Sequence, residues 1–542
     1  MNTYALFCIL FCGAYGIFMV IQGLSNYRQT SGSVETFYNA DRGVNTFMLV
    51  CSTAVSVFSG LAFYGWPSSS YKLGVGYISG MGAFCVGLEF AIIGYRLWLL
   101  GKEYGFTTPV DFLRSRYYSE SYGLFVAILM VAMIVPYVAL QLITIGDGMN
   151  VSSMGFIPYI VPVIFSCAII CFHVFGGGMK AVAWMDTFNF ILGVGTLWVL
   201  VAVLIFRNFP NGGLVEAIEI IKQDPVSFAN LSAPGATGTF EVPGIINQAL
   251  TASVATIVWP HIYSRCYIAK SKKNFEVMAW GLPLGYLMVF SGLILIGTVI
   301  APAILGSGFA QADSIVPYLA TYYAPPIVSS IAMLCLFAFA ISTGESMLLS
   351  GTAMITKDIF IRHRYILKGE KVDDKKAVAW TRYVVVVMMI AMLVIVYFRP
   401  AAIVDYAYKL SSPYFGMVMP ATIGGLFWKK GTKEGAWAGT VAGCVIVTVC
   451  TFFYKSPLPL GLSAFSWALI VNAVLYIAVS LATKCPEDIV DKYITRVTNY
   501  ISAGDDMNAI VSNTILAATF RPEQLKNPED AEKARLAATS QA

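Results

Sequence analysis

Long apolar runs alternate with short polar segments along almost the whole chain. A helix needs about 20 apolar residues to cross the hydrocarbon core of a bilayer. Runs of that order lie near positions 4–23, 45–66, 75–100, 121–145, 157–175, 183–206, 246–268, 279–303, 327–357, 379–398, 403–427, 435–454 and 462–482. The pattern predicts an all-α integral membrane protein with about 13 transmembrane helices. We expect the first run to be retained, because it lacks a basic n-region and an A-x-A cleavage site.

The ninth run carries polar side chains in the middle of its apolar sequence. At about 100° per residue, Ser342, Glu345 and Ser346 share one face of a helix, and Thr343 lies beside them. A carboxylate at mid-membrane costs about 2.5–3.5 kcal/mol on insertion scales, so Glu345 requires a partner or a wet cavity. Oxygen ligands suit a hard cation such as Na⁺. Alternatively, the hydroxyls bond their own helix backbone or let two helices approach closely.

Three other runs contain breaks or charges that bear on such a site. In SVFSGLAFYGWP, Ser59-Gly60 interrupts the second run. This pattern indicates either an unwound segment whose carbonyls face a midplane site or a glycine that packs against another helix. Asp186 lies about one turn inside the sixth run, where it either faces the polar helix or begins a helix at the interface. Pro260 is expected to kink the seventh run.

Composition and loop charge support a membrane location. The chain of 542 residues is 57% hydrophobic and 12% charged, about half the charged share of soluble proteins. Basic residues concentrate in alternate loops, and Arg265 is counted among the cytoplasmic ones. The positive-inside rule therefore predicts a multi-pass protein of the cell membrane, with its N-terminus outside and its C-terminus in the cytoplasm. The net charge of +5 is interpreted as topology, so no nucleic-acid partner is expected.

Several kinds of chemistry have no motif in the chain. No Walker lysine motif is present, which argues against ATP-driven transport. HExxH and GxSxG motifs are also missing, and the three histidines are far apart in sequence, so neither an enzyme nor a zinc site is expected.

The runs divide the chain into six parts. We expect an N-terminal transmembrane helix and cytoplasmic loop, a first five-helix repeat, an external loop with a short helix near 214–222, a second five-helix repeat, two peripheral transmembrane helices and a cytoplasmic tail. Their respective boundaries are 1–44, 45–206, 207–245, 246–427, 428–482 and 483–542.

Five segments in order resemble the sodium/solute symporter family, which includes proline, pantothenate, sialic-acid and sugar–sodium transporters. They are FYNADRGV, GFTTPVDFLRSRY, FGGGMKAVAWMDT, STGESMLLSGTAMITKDIF and GLFWKKGTKEGAWAG. The resemblance runs from about 38 to 480. It implies a LeuT-type core, with two inverted repeats of five helices each (5+5) and peripheral helices at both ends.

The resemblance also implies site residues. The sodium site would use the carbonyls of Val55, Phe58 and Phe339 and the hydroxyls of Ser342 and Thr343. A second cation site, present in the sialic-acid branch, would correspond to Asp186, Glu345 and Ser346, with Glu345 standing where that branch has a serine. Candidate substrate or gate positions are Leu61, Ala62, Tyr137, Gln141, Ala252, Trp259, Pro260 and His261.

These features predict a secondary active transporter that imports a small organic solute with Na⁺ as the coupling ion. The largely apolar candidate positions favour a monocarboxylate, an amino acid or a pantothenate-like acid over a sugar. Glu345 is left open as a ligand of Na⁺, a proton carrier, or the partner of a basic side chain such as Lys409. The alternatives are a membrane sensor with the same fold, a proton-coupled symporter and an ion channel. The sequence leaves stoichiometry and oligomeric state undetermined.

Overall fold

A computed structural model describes residues 3–370, 372–398, 411–454 and 458–502, without the side chains at 61, 80–84, 254 and 313. In those ranges the regular structure is helical, apart from an isolated bridge between Val44 and Ala269. The predicted all-α fold is confirmed.

The N-terminal half contains seven labelled helices. They are α1 (Thr3–Ser25), α2 (Thr46–Val57), α3 (Gly60–Leu73), α4 (Tyr95–Tyr104), α5 (Pro109–Tyr117), α6 (Glu120–Ser152) and α7 (Ile160–Asn208). Shorter helical segments connect them at Tyr27–Thr30, Val34–Asn39, Ala40–Arg42, Val75–Phe84, Cys85–Glu89 and Phe90–Gly94.

The C-terminal half contains seven more. They are α8 (Val242–Val254), α9 (Pro260–Ile268), α10 (Lys272–Leu305), α11 (Pro326–Lys368), α12 (Asp374–Phe398), α13 (Lys433–Phe453) and α14 (Ala464–Ala482). Short segments lie at Leu214–Ile221, Pro225–Ala229, Ala312–Ser314, Ile315–Tyr323, Ser412–Gly416, Met419–Phe427, Pro459–Gly461, Glu487–Val490, Asp491–Thr495 and Arg496–Ser502. The short helix predicted in the external loop is confirmed at Leu214–Ile221.

Eight described helices are long and apolar enough to cross a membrane, or nine if the bent pair formed by α2 and α3 is one span. The predicted runs 157–175 and 183–206 fall largely on the two sides of Gly178 within α7, where the backbone leaves the helical region. The predicted run 75–100 is a series of short segments, and most of 246–268 is divided between α8 and α9. Part of the predicted run 403–427 lies outside the described residues. The number 13 therefore stays a prediction.

Gly178 bends α7 between its two apolar halves. Its φ of 54° and ψ of −158° are outside the helical region. A side chain on Gly178 would be strained by this φ, and its Cβ would lie 2.6 Å from the carbonyl oxygen of Phe37. Glycine thus permits both the turn and the close approach of the segment Val34–Asn39.

The core of the molecule is built around α11. Its stretch from Cys335 to Ala353 is buried at every position, which is expected of a helix surrounded by other helices. α1, α6 and α7 pack along it, and the α2/α3 pair crosses it at its centre. A helix enclosed in this way presents its polar side chains to neighbouring helices instead of to lipid.

The end of α11 is fixed to α5 by buried ion pairs. Lys357 Nζ lies 2.7 Å from Asp111 Oδ2, and Arg114 Nη1 donates to Asp358 Oδ1 at 3.0 Å. Burial alone would raise the pKa of the Asp111 carboxyl, but Lys357 and the N–H of Thr107 hold that pKa at about 2. The GFTTPVDFLRSRY segment therefore positions the end of the polar helix.

Candidate cation and solute sites

The break predicted at Ser59-Gly60 is present. α2 ends at Val57, and α3 begins at Gly60 with its axis turned by 57°. Phe58 has φ −79° and ψ 82°, and Ser59 has φ −80° and ψ 174°, so both leave the helical region. Two half-helices therefore meet at the centre of the molecule.

The break releases backbone carbonyls from the helical hydrogen-bond pattern. In a continuous helix the N–H of Gly60 would bond to the carbonyl of Ser56. Here it donates to Gln141 Oε1 at 2.9 Å. The N–H of Ser59 turns to the carbonyl two residues before it at 3.0 Å, and not to that of Val55. The carbonyls of Val55 and Ser56 thus lose their helical donors and can accept from other groups or bind a cation.

The hydroxyl face of α11 lies directly against this break. Thr343 Oγ1 donates to the carbonyl of Ser56 at 3.3 Å, and His261 Nε2 lies 3.2 Å from the same oxygen. The rings of Phe58 and Phe339 stack with centroids 6.2 Å apart. The structure thus brings together the elements that carry the five predicted sodium ligands. Coordination of Na⁺ by those atoms stays a prediction.

A second polar cluster adjoins the break. Both carboxylate oxygens of Asp186 accept hydrogen bonds, Oδ1 from Ser342 Oγ at 2.5 Å and Oδ2 from Ser52 Oγ at 2.6 Å. Arg265 Nη2 donates to Oδ2 at 2.8 Å and to Ser346 Oγ at 2.9 Å. We call Ser52, Ser56, Asp186, Arg265, Ser342 and Ser346 the Asp186 cluster. Asp186 and Arg265 are both 0% exposed.

The assignment of Arg265 to a cytoplasmic loop is wrong. Its guanidinium lies within the Asp186 cluster, where Nε donates to Ser52 Oγ at 3.2 Å and Nη1 to the carbonyl of His261 at 2.7 Å. Nη2 also donates to Ser56 Oγ. Because Arg265 is close in sequence to Lys270, charge counting placed both at the interface. The sequence signal that was missed is the position of Arg265 five residues after Pro260, within the short helix α9 that this proline begins.

Glu345 lies beside this cluster but bonds elsewhere. Its Oε2 is 2.5 Å from His173 Nδ1, and His173 Nε2 is 2.8 Å from Gln22 Oε1 of α1. Glu345 and His173 are both 0% exposed. Of the predicted second cation set, Asp186 and Ser346 thus meet at Arg265, whereas Glu345 pairs with a histidine that the sequence analysis did not select. Lys409, the suggested alternative partner, lies outside the described residues.

The candidate solute positions form an aromatic group near the break between α8 and α9. The rings of Tyr137 and Trp259 meet edge to face at 5.6 Å, and those of Trp259 and His261 lie 5.8 Å apart. Pro260 begins α9 and does not kink a continuous helix. Ala62 is buried beside the first break.

The remaining candidate positions have different surroundings. Ala252, on α8, is half-buried, and its carbonyl accepts a hydrogen bond from Thr256 Oγ1 at 2.6 Å. Gln141 is fully buried and holds the N-terminus of α3 through Gly60. The side chain of Leu61 lies outside the described part of the structure.

Broken helices whose carbonyls and hydroxyls converge near mid-membrane are the arrangement found at the ion and substrate sites of secondary transporters. The sodium:solute symporter family model matches residues 37–443, and the chain belongs to this family. It is therefore a multi-pass membrane transporter and not an enzyme, with Na⁺ as the coupling ion and a small molecule as substrate.

Two curated relatives and one solved structure illustrate the similarity. The sodium/pantothenate symporter of Haemophilus influenzae is 23% identical, over 87% of this chain and 94% of its own length. The sodium/proline symporter of Staphylococcus aureus is 23% identical, over 90% of this chain and 95% of its own. An outward-open structure of a Na⁺-coupled sialic acid symporter has a TM-score of 0.72 at 15% identity, covering 89% of this chain and 98% of that one. It supports the LeuT-type fold.

Proposed function

We propose that this protein imports a small organic acid together with Na⁺ bound between the α2/α3 break and α11. The observation that carries the proposal is the helix break, which releases the carbonyls of Val55 and Ser56 and brings the Thr343 hydroxyl of α11 onto the Ser56 carbonyl. Carbonyl and hydroxyl oxygens are the ligands that a hard cation prefers. In this proposal the sodium ligands are those named from the sequence: the carbonyls of Val55, Phe58 and Phe339 and the hydroxyls of Ser342 and Thr343.

Two polar atoms beside the break support a particular solute chemistry. Within the described part of the chain, Trp259 Nε1 and His261 Nδ1 are buried without a hydrogen-bond partner. His261 Nε2 faces the Ser56 carbonyl, which only accepts, so Nε2 carries the proton and Nδ1 is an acceptor. The indole N–H suits a carboxylate, and the imidazole nitrogen suits an N–H or O–H. This pair favours an amino acid or a hydroxy or amide acid, such as a pantothenate-like compound, over a plain monocarboxylate.

The overall arrangement follows from the same proposal. Residues 45–206 and 246–427 form the two inverted repeats, with 1–44 and 428–482 peripheral, 207–245 external and 483–542 a cytoplasmic tail. The protein lies in the lipid bilayer of the cell membrane, with its N-terminus outside and its C-terminus inside. It has no nucleic-acid partner in this proposal. The excess of basic residues in the loops on the tail side supports this orientation.

Uptake into proteoliposomes tests the proposal. Purified protein is given radiolabelled proline, pantothenate or propionate under an inward gradient of Na⁺, of choline or of protons. We expect accumulation of proline or pantothenate with Na⁺ and none with choline. Propionate is the control that lacks a second polar group. Uptake that follows the proton gradient alone, or that favours propionate, contradicts the proposal.

A further inference from the structure

The Asp186 cluster has the composition of a cation site. The Asp186 carboxylate and four serine hydroxyls converge from α2, α7 and α11, and all of these residues are buried. Ser52, Ser342 and Arg265 donate to Asp186, which therefore accepts as a carboxylate. A buried carboxylate among hydroxyls requires a positive charge nearby.

The chain supplies that charge itself. Arg265 reaches into the cluster from α9, and each of its three side-chain nitrogens donates to a protein oxygen. Its Nη2 bonds both Asp186 and Ser346, which are two members of the predicted second cation set. An arginine stays protonated at every physiological pH, so the compensation is permanent.

We propose that the Arg265 guanidinium is a tethered cation that occupies the second cation site. The protein consequently binds a single Na⁺, at the α2/α3 break. The inference rests on the proposed function for the role of that Na⁺, but its own content is the number of ions bound. A covalently held cation cannot enter or leave with the solute, so it adds no charge to the transport cycle. The Asp186 carboxylate then serves to orient Ser342, whose hydroxyl donates a hydrogen bond to it, and not to bind an exchangeable ion.

An alternative role for Arg265 is to bind the carboxylate of the solute. Its contacts argue against this role, because the guanidinium is directed at Asp186, at serines and at the His261 carbonyl. A solute carboxylate would have to displace Asp186 and leave it buried and unpaired.

Equilibrium binding of ²²Na⁺ to the purified full-length protein tests the inference without requiring transport. We expect wild type to bind one Na⁺ per chain. Arg265→Gln leaves Asp186 uncompensated and should bind a second Na⁺, doubling the saturation value. Asp186→Asn/Arg265→Gln removes both charges and should return to one. Arg265→Lys keeps a tethered charge and should also bind one.

The control for loss of a buried guanidinium is Arg116→Gln. Arg116 is also buried, but it bonds the carbonyls of Gly425 and Gly431. Its removal leaves no carboxylate behind, and the saturation value should stay at one.

Two results would overturn the inference: two Na⁺ bound by wild type, or one Na⁺ bound by folded Arg265→Gln. If Arg265→Gln does not fold, the wild-type and Arg265→Lys values still decide. Failure of the proposed function has a different signature, since wild type would then show no Na⁺-driven uptake whatever number of ions it binds.

Discussion

Removing single hydroxyl groups from α11 tests the sodium site most directly. Ser342→Ala and Thr343→Ala each delete one proposed oxygen ligand. If an ion–hydroxyl contact is counted as a hydrogen bond to a charged group, its removal costs about 1.5–3 kcal/mol of Na⁺-binding free energy. At about 1.4 kcal/mol per tenfold, the Na⁺ concentration for half-maximal uptake should rise about 10- to 150-fold.

The two variants should differ in stability. Ser342 also donates to Asp186 at 2.5 Å, a charge-assisted bond whose loss costs about 1.5–3 kcal/mol of folding free energy. Thr343 donates to a neutral carbonyl at 3.3 Å, and its loss should cost only about 0.5–1.5 kcal/mol. Ser342→Ala should therefore unfold at a clearly lower temperature than Thr343→Ala, although both substitutions raise the Na⁺ concentration for half-maximal uptake.

Two controls on the same helix separate coordination from packing. Thr343→Ser keeps the oxygen, so its Na⁺ concentration for half-maximal uptake should stay within about threefold of the wild-type value. Thr352→Ala deletes a buried hydroxyl that bonds the carbonyl of Leu349 in its own helix at 2.8 Å, and should leave Na⁺ dependence unchanged. The assay is uptake into proteoliposomes over a Na⁺ series. Wild-type Na⁺ curves for Ser342→Ala and Thr343→Ala alike would refute the reasoning and assign both hydroxyls to helix packing.

Three further substitutions probe the supports of the site. Asp111→Asn should lower the unfolding free energy by about 2 kcal/mol at pH 7, because the pKa of Asp111 is held at about 2. In the wild-type protein this contribution is complete above about pH 4 and is lost as the pH falls through about 2. Thermal unfolding measured across this pH range follows the loss. Gln141→Leu leaves the N–H of Gly60 buried without its acceptor, which should cost about 1–3 kcal/mol of folding free energy and raise the Na⁺ concentration for half-maximal uptake; a wild-type Na⁺ curve for this variant would contradict the role. If the 2.5 Å contact between Glu345 and the buried His173 is an ion pair, Glu345→Gln should lower the unfolding free energy by about 3–5 kcal/mol in chemical denaturation. A loss below about 1 kcal/mol would show that the contact is not an ion pair.

Much of the fold could be predicted because its signals are local. Apolar run length predicts membrane helices, and Ser59-Gly60 in a helical pattern predicts a break, since both depend on neighbouring residues alone. Run length does not show how closely two helices are joined. The predicted runs 157–175 and 183–206 lie on the two sides of Gly178 in α7, where a single non-helical residue makes the turn.

The partners in the site could not be predicted, because they depend on helix rotation. On an ideal helix Glu345 and Ser346 lie 100° apart, on opposite sides of the direction of Ser342. That difference directs Glu345 to His173 on α7 and Ser346 to Arg265 on α9. A shared face in sequence is too broad a description to distinguish these two surroundings.

The Asp186–Arg265 pair also changes how Na⁺ and solute depend on each other. With Asp186 neutralised inside the protein, the proposed sodium ligands are uncharged carbonyls and hydroxyls. A Na⁺ bound there adds a positive charge that Asp186, already paired with Arg265, does not balance. The carboxylate of an organic acid supplies the balance: for a separation of about 10 Å and an effective dielectric constant near 20, the attraction is about 1.7 kcal/mol. Because linkage is reciprocal, each partner should raise the affinity for the other by about 15- to 20-fold, within the usual range of coupling energies. A neutral sodium site thus favours joint occupancy by cation and acid, which is what symport requires.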